Sequence, residues 1–461
     1  MSTYALTNAN TGEVEQKFDS IDPSEIPGII DTADKAYQEW HKKPATERAA
    51  ILTKAAGIFR DRSAELAEII GKEMGKPVND AKGEIELVAN IFEWYADHAE
   101  ELLEDEKLDA KGAPTNLVRH ESMGVLIGIM PWNFPYYQLA RFSAPNLLLG
   151  NTILMKQASI CPVSSAKFEE VLSEAGLTDG AYQNLYLNAE DVETVLEDFR
   201  VKGASVTGSE RAGTAVAMAA AKNVKKSVME LGGNDPAIVL DSVKDVAKVA
   251  QKLTFLRFAN AGQVCTSPKR VIVLESIYDE FVQAAVETAQ SVKVGDASDE
   301  STQMGPLSSE GARDEAVERI AQAVKDGATL HFGGEKLDRP GWFMSPAVLT
   351  GVDFDADLSC NELFGPALVI YKVKSEEEAI KFANNSEYGL QASVWTDDVE
   401  HGFEVADQLV TGMALVNEHV TTQADLPFGG VNKSGYGREL TQWGFYEFSN
   451  EKLIRGGAID R

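Results

Sequence analysis

The chain has 461 residues, 44% hydrophobic and 25% charged, which suits a globular protein of two or three domains and excludes disordered and fibrous classes. Its 72 acidic against 43 basic side chains leave a formal charge of −29, which repels phosphate backbones and anionic lipid and argues against nucleic-acid and membrane partners. Three cysteines cannot build a disulfide framework, no basic-then-apolar leader opens the chain, and no apolar run reaches the ~20 residues that span a bilayer, so a cytoplasmic location is expected.

In chain order, residues 44–110 are predicted helical. From Glu47 to Glu73 apolar side chains return at helical spacing (Ile51, Leu52, Ala55, Ile58, Phe59, then Leu66, Ile69, Ile70); Gly75-Lys76-Pro77 ends that run and Ala81 to Leu103 forms the next. From Gly124 short apolar runs alternate with helical patterns. They are GVLIGIM, TILMK, a helix from Pro162 to Ala175, VKGASVTG, a helix after Ser209, and PAIVL at 236–240. RVIVL, a helix through Val292, ALVIYKV near 370 and MALVN near 415 repeat the pattern. Such alternation predicts parallel βαβ units, and two α/β domains in series.

Some familiar signatures are missing. No strand is followed by G-x-G-x-x-G, and GKEMGK at 71–76 has too short a spacing and no hydroxyl for a phosphate loop. The six histidines and three cysteines show no metal-ligand spacing, so no metal is expected. Two residues do point to chemistry. Glu230 precedes a Gly-Gly pair and a strand in MELGGNDPAIVL. Cys265 lies in ANAGQVCTSPKR, a polar loop between a helix and a strand, where a cysteine is expected to be accessible. A nearby helix N-terminus would lower its pKa and favour the thiolate. Taken singly, each reads equally well as a buried thiol or an ion-paired carboxylate.

Six further segments decide between these readings: GIMPWNFPYYQLAR (128–141), ILMKQAS (153–159), VTGSERAG (206–213), NELFGP (361–366), NSEYGL (385–390) and LPFGGVNKSGYGREL (426–440). In this order, and over essentially the whole chain, the set resembles the aldehyde dehydrogenase superfamily. The resemblance implies an aldehyde dehydrogenase-like α/β fold with a Rossmann-like cofactor domain, an α/β catalytic domain and a β-strand oligomerisation arm. It implies Cys265 as the nucleophile that gives a thiohemiacetal and then a thioester, and Asn133 as an oxyanion donor with the Cys265 backbone N–H. Glu230 corresponds to the general base for deacylation. Among cofactor residues, Gly208 and Ser209 correspond to a phosphate contact, Lys156 to the adenosine-ribose contact and Glu362 to the nicotinamide-ribose contact. Phe364, Trp132 and Leu231 correspond to residues touching the cofactor. Phe364 and Trp132 also read as core packing.

Ser159 bears on the choice of cofactor. NAD-preferring relatives commonly carry a Glu three residues after the Lys156 position; a neutral Ser159 removes a charge that would repel a 2′-phosphate. NADP is favoured, and NAD remains admissible. EMGKPVNDAKGEIELVANIFEWYADHAE and GRELTQWGFYEFSNEK narrow the resemblance to the short succinate-semialdehyde dehydrogenase-like branch. Arg141, eight residues beyond Asn133, corresponds to an arginine that grips the substrate's distal carboxylate.

Some positions depart from the pattern. Ala259 stands where longer semialdehyde enzymes carry a second arginine, with Arg257 out of register. Ser267 replaces a second cysteine, which removes a redox switch, and Asn450 replaces a Glu on the route to the deacylation water. Tyr136, Tyr137, Trp443 and Phe445 would suit an aromatic-lined tunnel, so an aromatic or medium aliphatic aldehyde is the alternative substrate. A non-catalytic binding or structural protein on the same fold is a distant alternative. The expected division is 1–112 and 124–232 for the cofactor domain, 233–441 for the catalytic domain, and 113–123 with 442–461 for an arm. Edge strands in that arm predict a homodimer or dimer of dimers.

Overall fold

Strands that read as continuous apolar runs are covered on both faces, and here they build two largely parallel sheets. The computed structural model describes residues 4–419 and 422–457. Edge to edge, the first sheet runs Gly435–Tyr436, Lys226–Glu230, Val201–Thr207, Val125–Met130, Thr152–Gln157 and Tyr182–Asn184. All its pairings are parallel except that of Gly435–Tyr436. From Val125–Met130 the chain winds outward to one side, then returns to fill the other. The crevice at that reversal, beyond the C-terminal strand ends, is where doubly wound sheets bind ligands.

The second sheet has the order Thr329–Phe332, Ala347–Thr350, Ala367–Val373, Arg270–Leu274, Pro236–Val239, Gln391–Trp395 and Met413–Val416, antiparallel only at its first pair. A third, antiparallel sheet joins Ser449–Gly456, Thr115–Ser122 and Glu106–Lys107. Its two longer strands fall within the expected arm, while Glu106–Lys107 adds a strand that helical periodicity does not announce. Residues 1–3 and 458–461, which belong to the expected cofactor domain and arm, lie outside the described residues.

Helix boundaries follow local chemistry. Pro162–Ala175 starts with proline at its first position and ends at Gly176, left-handed at φ 100°. The continuous helix expected from Glu47 to Glu73 is instead Ala45–Asp61 and Ser63–Met74, broken at Arg62 (φ −99°, ψ 12°), whose guanidinium reaches Glu65 and Glu170. Ala81 to Leu103 likewise resolves into Val78–Asp97 and Ala99–Leu102, with His98 between. Helix Tyr137–Leu149 is buried on every side. It lies between the first sheet and a layer formed by Ala45–Asp61 and Val78–Asp97. Full enclosure explains its apolar composition all round, and makes its one arginine, Arg141, a buried charge that needs a partner.

Candidate active site

Three C-terminal strand ends of the first sheet face the loop before Arg270–Leu274 across a cleft of about 260 Å³. Trp132 and Asn133 follow Val125–Met130; Gly208 and Ser209 follow Val201–Thr207; Glu230 ends Lys226–Glu230 and Leu231 follows it. With Cys265, Glu362 and Phe364 these side chains line the cleft together. Lys156 and Ser159 stand at the end of Thr152–Gln157, farther along the same sheet edge. Arg141 is not among the lining residues.

The loop bearing Cys265 is bent by three successive left-handed residues, Asn260, Ala261 and Gly262 (φ 51°, 54° and 73°). A Cβ at Gly262 would collide with the Gly365 carbonyl, so this turn requires glycine. Among the described residues, no helix begins at Cys265, in contrast to the expected helix N-terminus. Its thiol pKa accordingly moves the other way. Withdrawal from water pushes the half-buried thiol up to about 12, against the pull of Lys269 and Arg141.

Asn133 is buried and ties two loops together. Its Nδ2 donates to the Gln263 carbonyl at 3.1 Å, and Asn260 Nδ2 donates to the Asn133 carbonyl at 3.0 Å. Glu230 is 2% exposed, and its two carboxyl oxygens have no hydrogen-bond partner among the described residues. Burial pushes its carboxyl well above the ordinary range; Arg141 opposes that shift, and the like charge of Glu439 reinforces it. Lys269, also buried, donates to the Cys265 carbonyl and pairs with Glu362 Oε1 at 3.0 Å. The Gly-Gly pair after Leu231 is explained by crowding: a Cβ at Gly232 would overlap the Glu362 carboxylate, and one at Gly233 would press on the Cys265 carbonyl.

Arg141 sits outside the lining of this cleft, 1% exposed and already partnered. It pairs with Glu439 and donates to Tyr137 Oη and Thr207 Oγ1, each at 3.0 Å, while Phe428 packs 4.5 Å from its guanidinium carbon. Burial works against its charge, but Glu439, Tyr137, Glu230 and Cys265 together outweigh it and the pKa is raised. The expected open carboxylate clamp is therefore an occupied one. The four aromatics expected around a tunnel are also dispersed. Tyr136 packs on Phe59, Phe445 on Tyr95, Tyr137 beside Phe134, and Trp443 is 52% exposed. Arg257 is structural: it donates to the carbonyls of Gly262, Leu363 and Ala367 and to Ser267 Oγ. Asn450 lies on the exposed arm strand, 3.5 Å from Glu121.

A dinucleotide fits the remaining features. Space above the Gly208 Cα is open, so nothing in the protein demands glycine there and a ligand can approach the backbone. The Gly208 N–H is bonded to the Glu230 carbonyl, which leaves Ser209 as the group available to a phosphate; its hydroxyl caps helix Glu210–Lys222. Lys156 has its Nζ near only the adjacent Gln157 carbonyl (3.3 Å) and the Tyr4 ring (5.7 Å), with no carboxylate partner among the described residues. Trp132 and Phe364 meet edge-on at 5.7 Å and both line the cleft, so each packs and faces the ligand space. Glu439 and Lys269 escaped the sequence reading, although GYGREL and CTSPKR contain them; what marks them is proximity to Arg141 and Glu362, which spacing does not reveal.

The chain belongs to the aldehyde dehydrogenase family, whose model matches residues 1–454. It is 44% identical over 452 residues to a succinate-semialdehyde dehydrogenase (NADP+) of Deinococcus radiodurans, covering 98% of this chain and 94% of that one. To a like-named protein of Mycobacterium avium it is 38% identical over 457 residues, covering 98% and 97%. A crystal structure of succinic semialdehyde dehydrogenase from Streptococcus pyogenes with NADP+ as the cofactor superposes with a TM-score of 0.96 at 41% identity, covering 99% of this chain and all of that one.

Proposed function

We propose that this protein oxidises succinate semialdehyde to the acid with NADP, through a thioester on Cys265. The observation that carries the chemistry is the meeting of Cys265, Glu230 and Asn133 in one cleft with Gly208, Ser209, Leu231, Glu362, Phe364 and Trp132. Bound nicotinamide would supply the hydride acceptor. Lys156, Ser159 and Ser209 would hold the adenosine end, and Glu362 the ribose near the reacting carbon. The neutral Ser159 supports NADP.

Glu230, once it has lost its own proton to solvent, takes the thiol proton, and Cys265 Sγ bonds to the carbonyl carbon. The Asn133 amide and the Cys265 N–H stabilise the oxygen as it becomes negative, an effect worth about 10²–10³ in rate per donor. Loss of hydride leaves the thioester. Glu230, having released the thiol proton to solvent, then takes one from water as the water's oxygen bonds to the acyl carbon. The C–S bond breaks and the carboxylic acid leaves.

The substrate assignment draws on the relatives' names and on Arg141, the cation whose charge reaches both Cys265 and Glu230. The substrate's distal carboxylate would share that guanidinium with Glu439. We also propose that residues 4–112 and 124–232 bind the cofactor, that 233–441 carry the catalytic loop, and that the strands of 113–123 and 442–457 pair with another subunit to form a homodimer or dimer of dimers. A soluble, cytoplasmic enzyme fits the acidic chain, and none of the helices in the described residues is long and apolar enough to cross a membrane.

The test is an aldehyde panel assayed with NADP and NAD in parallel, on the wild type and on Arg141→Met/Glu439→Leu, which removes the cation without stranding its partner. The expected result is a loss in kcat/KM on succinate semialdehyde about 10²-fold greater than that on uncharged aldehydes, the value of one charge-assisted bidentate contact. Equal rates on uncharged aldehydes and the semialdehyde in the wild type would overturn the substrate assignment.

A further inference from the structure

Two buried carboxylates behind the cleft take no part in the steps above. Glu73 accepts the backbone N–H groups of Val163 (2.7 Å) and Ser164 (3.3 Å), in the first turn of helix Pro162–Ala175. Glu84, 4% exposed on helix Val78–Asp97, serves helix Tyr137–Leu149 in the same way. Its Oε1 accepts the N–H groups of Tyr136 at 2.9 Å and Tyr137 at 3.0 Å, while Oε2 pairs with Lys76 Nζ. Lys76 is itself 1% exposed, and its Nζ lies 3.6 Å from the centroid of the Phe134 ring. One ion pair thus holds three pieces of chain: the turn after Gly75, helix Val78–Asp97, and the PWNFPYY turn. Asn133 is the residue next to Phe134 in that turn.

The physical need is plain. The first N–H groups of a helix have no acceptor within it, and in a buried helix water cannot stand in. The cap residue Tyr136 has no side-chain cap bond to offer. The acceptor must come from elsewhere, and a carboxylate is favoured at the positive end of a helix. Lys76 balances the buried charge and adds a second grip on the turn through Phe134.

We propose that Glu84, paired with Lys76, is a positioning residue for the oxyanion donor: by fixing the Tyr136 and Tyr137 N–H groups it sets where the Asn133 amide stands relative to Cys265. This rests on the role proposed above for Asn133. A displacement of about 1 Å in such a donor costs up to about 10²-fold in rate.

The experiment replaces the pair as Lys76→Met/Glu84→Leu, so that no buried charge is left alone, and separately makes Glu84→Asp, which keeps the pair but draws the acceptor back by one methylene. Each full-length variant is checked by thermal unfolding. It is then measured for aldehyde oxidation, NADP affinity and the rate at which iodoacetamide alkylates Cys265. Alkylation forms a C–S bond and expels iodide without creating an oxyanion, so a misplaced Asn133 leaves it alone. The expected result is a kcat lower by about 10- to 100-fold, with alkylation and NADP affinity within about two-fold of the wild type. Adding Asn133→Ala to either variant should then cost little more than Asn133→Ala alone. Oxidation and alkylation falling together, or losses that multiply, would overturn the proposal. If Asn133→Ala by itself leaves oxidation unchanged, the oxyanion role fails. If it is crippling while both Glu84 variants are fully active, only the positioning role fails.

Discussion

Gly232→Ala offers a test in which fold and function are expected to part. A methyl at this position would overlap the Glu362 carboxylate, while its next neighbour, Tyr388, stays at an ordinary 3.6 Å. The backbone at Gly232 is not left-handed, so alanine is conformationally acceptable. Relief must come from Glu362, whose carboxylate is the end of a flexible side chain and needs to retreat by roughly 1 Å to recover normal contact. That retreat loosens its 3.0 Å pairing with Lys269 and moves it from the place proposed for the nicotinamide ribose. A hydrogen bond to a charged acceptor is worth about 1.5–3 kcal/mol, and about 1.4 kcal/mol is tenfold in affinity. NADP affinity should therefore weaken by about 10- to 100-fold in a fluorescence titration. Thermal stability should change by no more than about 0.5–1 kcal/mol, since no backbone has to move. Cys265 alkylation should proceed at the wild-type rate. An unchanged NADP affinity would refute the placement of Glu362, and a collapse in stability would refute the claim that only a side chain yields.

Further outcomes follow from the charges at the site. Burial pushes the Cys265 thiol up to about 12 and raises the Glu230 carboxyl well above its ordinary range, so kcat/KM should rise with pH through the neutral range. Glu230→Gln removes the base proposed for both the thiol and the water, so it should slow the first release of NADPH as well as deacylation, with steady-state turnover lower by about 10²–10⁴-fold. Because the Glu230 carboxyl titrates higher in the folded chain than in the unfolded one, its contribution to stability is present at low pH and is lost as pH rises. The Gln variant should therefore unfold at a higher temperature than the wild type at pH 9 and at the same temperature at pH 4. Ser159→Glu should weaken NADP by about 100-fold and spare NAD, by setting a carboxylate against the 2′-phosphate; equal affinities for the two cofactors in the variant would remove Ser159 from the argument.

Much of this fold could be read from the chain because its strands are short apolar runs and many of its turns carry glycine where the backbone turns left-handed. GVLIGIM, TILMK, VKGASVTG and RVIVL each became a strand, and Pro162–Ala175 a helix with the expected ends. Cys265, Glu230 and Asn133 also proved to be neighbours, since each sits in a distinctive motif at a strand end or loop. What stayed hidden were properties set by surroundings. The direction of the Cys265 shift depends on how little water reaches it. The dispersal of Tyr136, Phe445 and Trp443 depends on which face of each helix packs inward. The occupation of Arg141 depends on Glu439, which comes from the far end of the chain.

These hidden features share one electrostatic logic. Around the cleft the buried cations Arg141 and Lys269 are each matched by a carboxylate, Glu439 and Glu362 respectively. The pull of Arg141 and Lys269 on Cys265, and of Arg141 on Glu230, is outweighed by burial, which pushes both groups toward their protonated forms. These two pairs cancel their own charges, although the whole chain carries −29. Each proposed step then creates a single new charge, on the thiol sulfur or on the substrate oxygen, in a place where a fixed donor or cation stands within reach and water does not screen it. A substrate bearing its own carboxylate adds one more negative charge, and only a shift in how Arg141 divides its donors between Glu439 and that newcomer can offset it. In this arrangement, recognition of an anionic aldehyde and the readiness of Glu230 to give up its proton are governed by the same guanidinium.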